Sequence, residues 1–434
     1  MRRYLTNQKV LENCKIYQML SAQSEKKHLS FHTPGHKVGG WDITELSYSD
    51  NLSCPQGCIL QAERDIAEIL GGFRSFILTD GSTSGVLSML YAAKRLGVRS
   101  VAVCENSHKS VFNGCSLLGL NPLVYPRFER QKIPFPPTMS ALKADFGGIL
   151  ANADALFLTS PDYYGNVADL KEVRKYCDET GKLLLIDGAH GGHLHFEKSL
   201  YAGTYADMWV DGVHKSLPAL TQGGVVSAKN ERFAEVLSEA VDIFRTTSPS
   251  YPIMASVEYA VKYPRNTGLE KRVLEFCKGN PRVYSNQDFT KLCIRFGNCA
   301  FEVQNELERE GIYPEFCDGN VILFYLSPAT SDTDFALLTK KLNELFKRFP
   351  KFNFEEEKIV QCVPAPCFSQ KEWVELSKSA GRICARICGL FPPCTPLLTV
   401  GESIAEEKIK LLQNAKNVFG LKNGKISVFI EKEE

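Results

Sequence analysis

The chain has 434 residues, 44% of them hydrophobic and 23% charged, with a formal net charge of +1. That length exceeds one ordinary core and fits a large domain with a smaller one beside it. The near-neutral charge, without a basic stripe, excludes a nucleic-acid footprint, and no uncharged apolar run approaches the roughly 18–20 residues of a membrane span.

In chain order, MRRYLTNQKVLENCK has two arginines but no apolar run after them, so it is not a signal peptide and a cytoplasmic protein is expected. Residues 3–27 carry a weak helical pattern (Leu5, Val10, Leu11, Ile16, Met19, Leu20). FHTPGHKVGGWDITEL follows, too rich in Gly and Pro for a regular helix. Ile59 to Leu70 is amphipathic and stops at Gly71-Gly72. Next come a strand (SFILT), a turn (DGSTSG), a helix (VLSMLYAAKRLG) and a strand (SVAVC). A helix over Val111–Leu118, a strand (LVYP) and a Pro-rich loop, Pro134–Pro137, continue the series. ALFLT, KEVRKYCDETG and LLLID read as strand, helix and strand. Such alternation predicts an α/β fold: a mostly parallel sheet with helices on both faces.

After about Leu269 the texture changes. KLCIRFG and VILFYLSP read as strands of a mixed sheet, FALLTKKLNELFKRF and WVELSKSAGRICARICGL as amphipathic helices, and LFPPCTPLL as a Pro-fixed loop. The division expected is an N-terminal segment (1–50), a large cofactor-binding domain (51–265) and a smaller C-terminal α/β domain (266–434). Fifteen cysteines, odd in number and with no CxxC pair, read as reduced thiols. His190, His193 and His195 in HGGHLHF raise the question of zinc, but no acid or thiol completes a site, so no metal is expected.

The chemistry gathers between Leu183 and Gly224. Asp187 closes the apolar run Leu183–Ile186, and ligands of open α/β sheets collect at such strand ends. Lys215 follows a second apolar segment, Met208-Trp209-Val210. A carboxylate and a lysine so placed are what pyridoxal 5′-phosphate (PLP) needs: the lysine for a Schiff base, the carboxylate to keep the pyridine nitrogen protonated. The turn TDGSTSG, with Ser82 and Thr83 opening a helix, suits a phosphate, although Ser and Thr there are also ordinary N-caps. His108 closes another strand and suits either stacking on an aromatic ring or a structural hydrogen bond.

Taken together, FHTPGHKVGG, DITEL, TDGSTSG, ENSHKSVFNG, SPDYYGNVADL, IDGAHGGHLHF, VHKSLPALTQGG, TTSPSYPIMASVE and the terminal GRICARI, FPPCTPLL and GE are similar to the Orn/Lys/Arg decarboxylase family. The match runs from about His32 to Glu402 and resembles short members without the N-terminal wing domain. The resemblance implies a fold-type-I PLP enzyme, with a large domain around a seven-stranded sheet and a smaller C-terminal domain. It further implies decarboxylation of lysine, arginine or ornithine, by a homodimer. By position, Lys215 would bind PLP covalently, Asp187 would pair with its ring nitrogen, and Ala189 and His108 would cover its two faces. Ser82 and Thr83 would bind the phosphate, and His190 and His214 would flank the site. Ser248 and Tyr251, in SPSYP, would come from a partner subunit, held extended by Pro249 and Pro252.

Three departures from the family pattern, at four positions, stand out. Gly212 and Val213 stand where Ser-Thr is usual before His-Lys, Gly188 stands where an acid is common, and Cys394 where glycine is usual. Asp42, Glu45, Asp50 and Glu402 are candidates to meet the distal cation of a basic substrate. Other fold-type-I reactions remain open: an aminotransferase, with Arg295 or Arg382 clamping the α-carboxylate, or a lyase. A PLP-binding paralogue without turnover is the third reading.

Overall fold

The computed structural model describes residues 5–26, 29–38, 40–130, 133–349, 358–359, 371–391, 395–398, 400, 402–415 and 417–430. Cys394 and part of the Pro-fixed loop lie outside the described residues.

The strands of the first half, in chain order, are β1 (Arg74–Leu78), β2 (Ser100–Cys104), β3 (Asn121–Tyr125), a hairpin of β4 (Phe128–Arg130) and β5 (Ile133–Phe135), then β6 (Ala155–Thr159), β7 (Leu183–Asp187), β8 (Met208–Asp211) and β9 (Gly224–Ala228). Seven of them form one sheet in the order β1-β9-β8-β7-β6-β2-β3. Pairing from β8 through β7, β6 and β2 to β3 is parallel. Only β9 runs against its neighbours, β1 and β8. The continuous apolar runs follow from this position: a strand covered on both faces has no solvent side on which to alternate. Leu184, Leu185 and Ile186 are accordingly fully buried.

Helices α1 (Gln8–Leu11) and α2 (Lys15–Ser24) replace the single weak helix expected at the start. The buried carboxylate of Glu258 accepts from the backbone N–H groups of Lys15 (2.7 Å) and Ile16 (2.9 Å), at the first turn of α2. Helix α3 (Cys58–Leu70) ends at Gly71, as expected. Helix α4 (Ser82–Arg95) lies close on the sheet, because Gly85 has no side chain. A Cβ there would stand 2.5 Å from Val210 Cγ2 and 2.9 Å from Leu78 Cδ1. Helix α5 (Lys109–Leu118) follows β2.

The C-terminal part is built on β10 (Lys291–Arg295), β11 (Phe316–Cys317) and β12 (Val321–Tyr325), ordered β10-β12-β11 and antiparallel. Helix Tyr251–Val261 packs in the core of the large sheet, whereas Leu269 and Val273 of helix Thr267–Cys277 join the core beneath β10 and β12. Tyr163 and Tyr164, after β6, pack with Phe316 and Leu323 and so tie the two parts together.

Two expectations are corrected. The helix expected over WVELSKSAGRICARICGL is not there. Lys371–Glu375 is a strand paired with Lys425–Phe429, Cys388–Leu390 is another, and Gly381 at φ +77° turns the chain between them. The apolar spacing was ambiguous between periods, and the strand pairing decided it. The Pro-rich loop is in part an edge strand: Pro134 sits in β5, where a missing N–H costs no ladder bond. The described cysteines are all free thiols.

Gly85→Ala should lower stability by about 1–3 kcal/mol, the usual cost of overpacking, because Val210 and Leu78 are held in a sheet that cannot retreat. Thermal or urea unfolding would measure it, and an unchanged midpoint would contradict the close packing of α4.

Candidate active site

The carboxyl ends of β6, β7 and β8 and the first turn of α4 open on one cavity of about 1180 Å³. Gly81, Ser82, Thr83, His108, Asp187, Ala189, His190, His214 and Lys215 all line it. Eight of the ten residues singled out from the sequence thus share one wall, delivered by separate strand ends.

Asp187 is almost fully buried at the end of β7 and accepts one hydrogen bond at Oδ1, from Ala189 N–H at 3.1 Å. Burial raises its pKa from the ordinary carboxylate value, while Lys215 and the Ala189 N–H act in the opposite direction. Lys215 sits in the short helix Val213–Ser216, directly after β8. Its Nζ is 3.2 Å from His190 Nε2.

Gly81, at φ +76°, caps α4 and donates its N–H to the Gln222 carbonyl at 2.8 Å. This bond ties the turn to the segment returning from Lys215. Ser84 Oγ donates to Gly81 O at 2.9 Å, while Ser82 and Thr83 face the cavity. The first-turn N–H groups and the helix dipole there suit an anion.

His108 is the N-cap of α5: its Nδ1 accepts from Ser110 N–H at 3.2 Å. Burial first, then the Lys215 and Lys109 charges, push its pKa down to about 3. His214 donates from Nδ1 to the Gly223 carbonyl at 2.8 Å, and burial lowers its pKa as well. The three histidines of HGGHLHF go separate ways. His190 bridges Lys215 and Tyr325, His193 bonds Asp288 at 2.8 Å, and His195 bonds the Gly192 carbonyl at 2.7 Å.

Ser248 and Tyr251 do not line this cavity. Ser248 is exposed, but Tyr251 is fully buried and donates to the Asp50 carbonyl at 2.6 Å. Pro252 does not extend the segment: it occupies the first turn of a helix, where its missing N–H is harmless. The expectation that Tyr251 reaches a partner subunit is corrected on that ground.

None of the four acids proposed for a distal cation lines the cavity. Asp50 caps backbone N–H groups of Asn51, Gln56, Gly57 and Ile59, Asp42 pairs with His36, Glu45 accepts from Thr44, and Glu402 pairs with Lys408. The cavity is lined instead by Glu129, Asp162, Glu315, Asp318 and Glu407. Glu315 accepts from Tyr163 Oη at 2.6 Å, and Asp318 from Tyr164 Oη at 3.0 Å. Arg295 and Arg382 are also elsewhere: Arg295 lies over the Tyr284 ring, and Arg382 pairs with Glu372.

The departures at Gly212 and Gly188 have a packing reason. A Cβ on Gly212 would come within 2.6 Å of the Ala189 carbonyl oxygen. A Cβ on Gly188 would lie 3.1 Å from Asp211 Oδ1, a carboxyl that burial has already raised to about 7. An acid at position 188 would therefore face a second buried acid.

Residues 40–278 match the family model for the major domain of Orn/Lys/Arg decarboxylases. The chain belongs to this family. An uncharacterized Bacillus subtilis protein, YaaO, is 29% identical over 97% of this chain and 100% of its own length. The arginine decarboxylase of B. subtilis is 25% identical over 92% of each chain. Among solved structures, Escherichia coli constitutive lysine decarboxylase superposes with a TM-score of 0.73 at 19% identity, covering 97% of this chain and 82% of that one. The fold is that of fold-type-I PLP enzymes, in agreement with the sequence reading.

Tyr163, Tyr325 and Gln222 of this family member escaped the sequence reading. Tyr325 ends an ordinary apolar strand, VILFY, and nothing local distinguishes it from core.

Restoring the family residue should be harmful here. Gly212→Ser is expected to lower the thermal midpoint and to weaken PLP binding, because its Cβ displaces the Ala189 backbone. Tighter binding in a cofactor titration would show that the backbone yields and that the hydroxyl dominates.

Proposed function

We propose that this protein is a PLP-dependent decarboxylase that converts lysine, arginine or ornithine to its amine and CO₂, acting in the cytoplasm as a homodimer. The observation that carries the reading is the convergence of Lys215, the buried Asp187 and the first turn of α4 on one cavity. The donor set fits the cofactor: an amine for its aldehyde, a carboxylate for its ring nitrogen, and a helix N-terminus for its phosphate.

PLP, when bound, supplies the electron sink for the pair left behind as CO₂ departs. Lys215 would hold the cofactor covalently and Asp187 would hold a proton on its ring nitrogen. Ser82, Thr83 and the N–H groups of α4 would take the phosphate, and His108 and Ala189 would cover the two faces. With its pKa at about 3, His108 presents an uncharged ring at neutral pH. Lys215 Nζ would return a proton to Cα; His214 gives its Nδ1–H to the Gly223 carbonyl, and burial disfavours the second proton it would need to act as that acid. Against an aminotransferase stands the position of Arg295 and Arg382, which do not line the cavity.

Incubation with each of the three amino acids, measuring CO₂ and amine against keto acid, tests the reaction. Borohydride reduction followed by peptide mapping should place the cofactor on Lys215; a label on Lys37 or Lys109 would refute the assignment. A bound cofactor with no product from any of the three would favour a paralogue without turnover.

Asp187→Asn should retain PLP yet lose several orders of magnitude in kcat, since a neutral amide cannot keep the ring nitrogen protonated. A loss under about tenfold, worth roughly 1.4 kcal/mol, would count against that role.

A further inference from the structure

Behind Lys215 stands a chain of hydrogen bonds whose directions follow from its far end. The Tyr325 hydroxyl donates to the Tyr163 carbonyl at 3.0 Å, so its single proton is committed. The same oxygen is 2.9 Å from His190 Nδ1 and can only accept there. The imidazole proton is therefore on Nδ1. Nε2, 3.2 Å from Lys215 Nζ, is left with a lone pair.

A doubly protonated ring is disfavoured. His190 is buried, and Lys215, Lys291, His108 and His214 all surround it, so its pKa lies well below the ordinary value. Tyr325 itself is braced from below. Lys291 is its cross-strand partner, and Lys291 Nζ lies 4.5 Å from the Tyr325 ring centroid. The same ammonium donates to the His190 carbonyl at 3.1 Å and pairs with Asp288 at 3.1 Å. Ring and main chain of His190 are thus held by two neighbouring strands of the C-terminal part.

We propose that Tyr325 is a positioning residue that holds His190 in the Nδ1–H tautomer, so that Nε2 accepts a hydrogen bond from Lys215 Nζ. An acceptor at that place favours the ammonium form of Lys215 and aims its N–H bonds. The Lys215 side chain is then kept in one orientation whenever it is not bonded to cofactor. This rests on the reading of Lys215 as the cofactor lysine.

The test uses cofactor-free full-length protein labelled with ¹⁵N-histidine, with the His190 signals assigned by His190→Gln. Long-range proton–nitrogen NMR should show wild-type His190 protonated at Nδ1 alone. Tyr325→Phe keeps the ring over Lys291 but removes the oxygen, and an Nε2–H population should emerge. In the same variant, competitive acetylation of Lys215 read by peptide mass spectrometry should shift to lower pH, by about half a unit to one unit. A residue that only filled space would lower the thermal midpoint and leave both readouts in place. Wild-type protonation at Nε2, or an unchanged tautomer and labelling profile in Tyr325→Phe, would overturn the proposal. Borohydride reduction of wild type with PLP separates the two readings. Failure to label Lys215 sinks the proposed function, whereas labelling with an unmoved tautomer sinks only the role of Tyr325.

Discussion

A carboxyl group buried at the end of a central strand is costly unless something nearby favours its charge. At Asp187 that something is Lys215, delivered by the neighbouring parallel strand, together with one backbone N–H. The arrangement depends on strand order. Because β7 lies between β6 and β8 and all three run the same way, their ends share an edge, and the first turn of α4 lies over it. One strand further, Asp211 is also buried, bonded to Tyr201 Oη at 2.6 Å and Trp209 Nε1 at 3.1 Å. Its pKa is raised to about 7, by burial first and by Asp187 among the lesser causes. Two neighbouring acids in low dielectric cannot both ionise cheaply. Lys215 tips the charge toward Asp187.

Much of this edge was legible from the sequence because it is local. A run such as Leu183–Ile186 followed by Asp187 names a buried strand and its end together. The turn before α4 names a helix N-terminus in the same way. The motif resemblance then supplied roles that spacing alone left open. What stayed hidden depends on pairing. Tyr325 acquires its meaning only because β12 ends against His190, and two acids of the cavity wall, Glu315 and Asp318, are placed by flanking β11. Tyr251 was misread for the converse reason: prolines limit the backbone of a segment but do not say whether it leaves the subunit.

The glycines carry a related lesson. At positions 188 and 212 the sequence shows only that side chains common in the family are missing. The packing shows that Asp211 Oδ1 and the Ala189 carbonyl oxygen stand close to where a Cβ would be at these two positions. A lost hydroxyl and a gained contact are two views of one substitution, and only the second can be read from distances.

The bond from Glu258 to the start of α2 has a consequence outside the cavity. That carboxylate is wholly buried in a helix of the large core, and two of its partners are main-chain N–H groups more than two hundred residues earlier. The first helices thus act as a stopper for a buried charge. A chain clipped of them leaves Glu258 with Lys262 as its cationic neighbour. Such a chain would display a wet defect in the core, the sort of feature that cellular quality control recognises. The N-terminal helices thus bear on the integrity of the large core, although they contribute no side chain to the cavity wall.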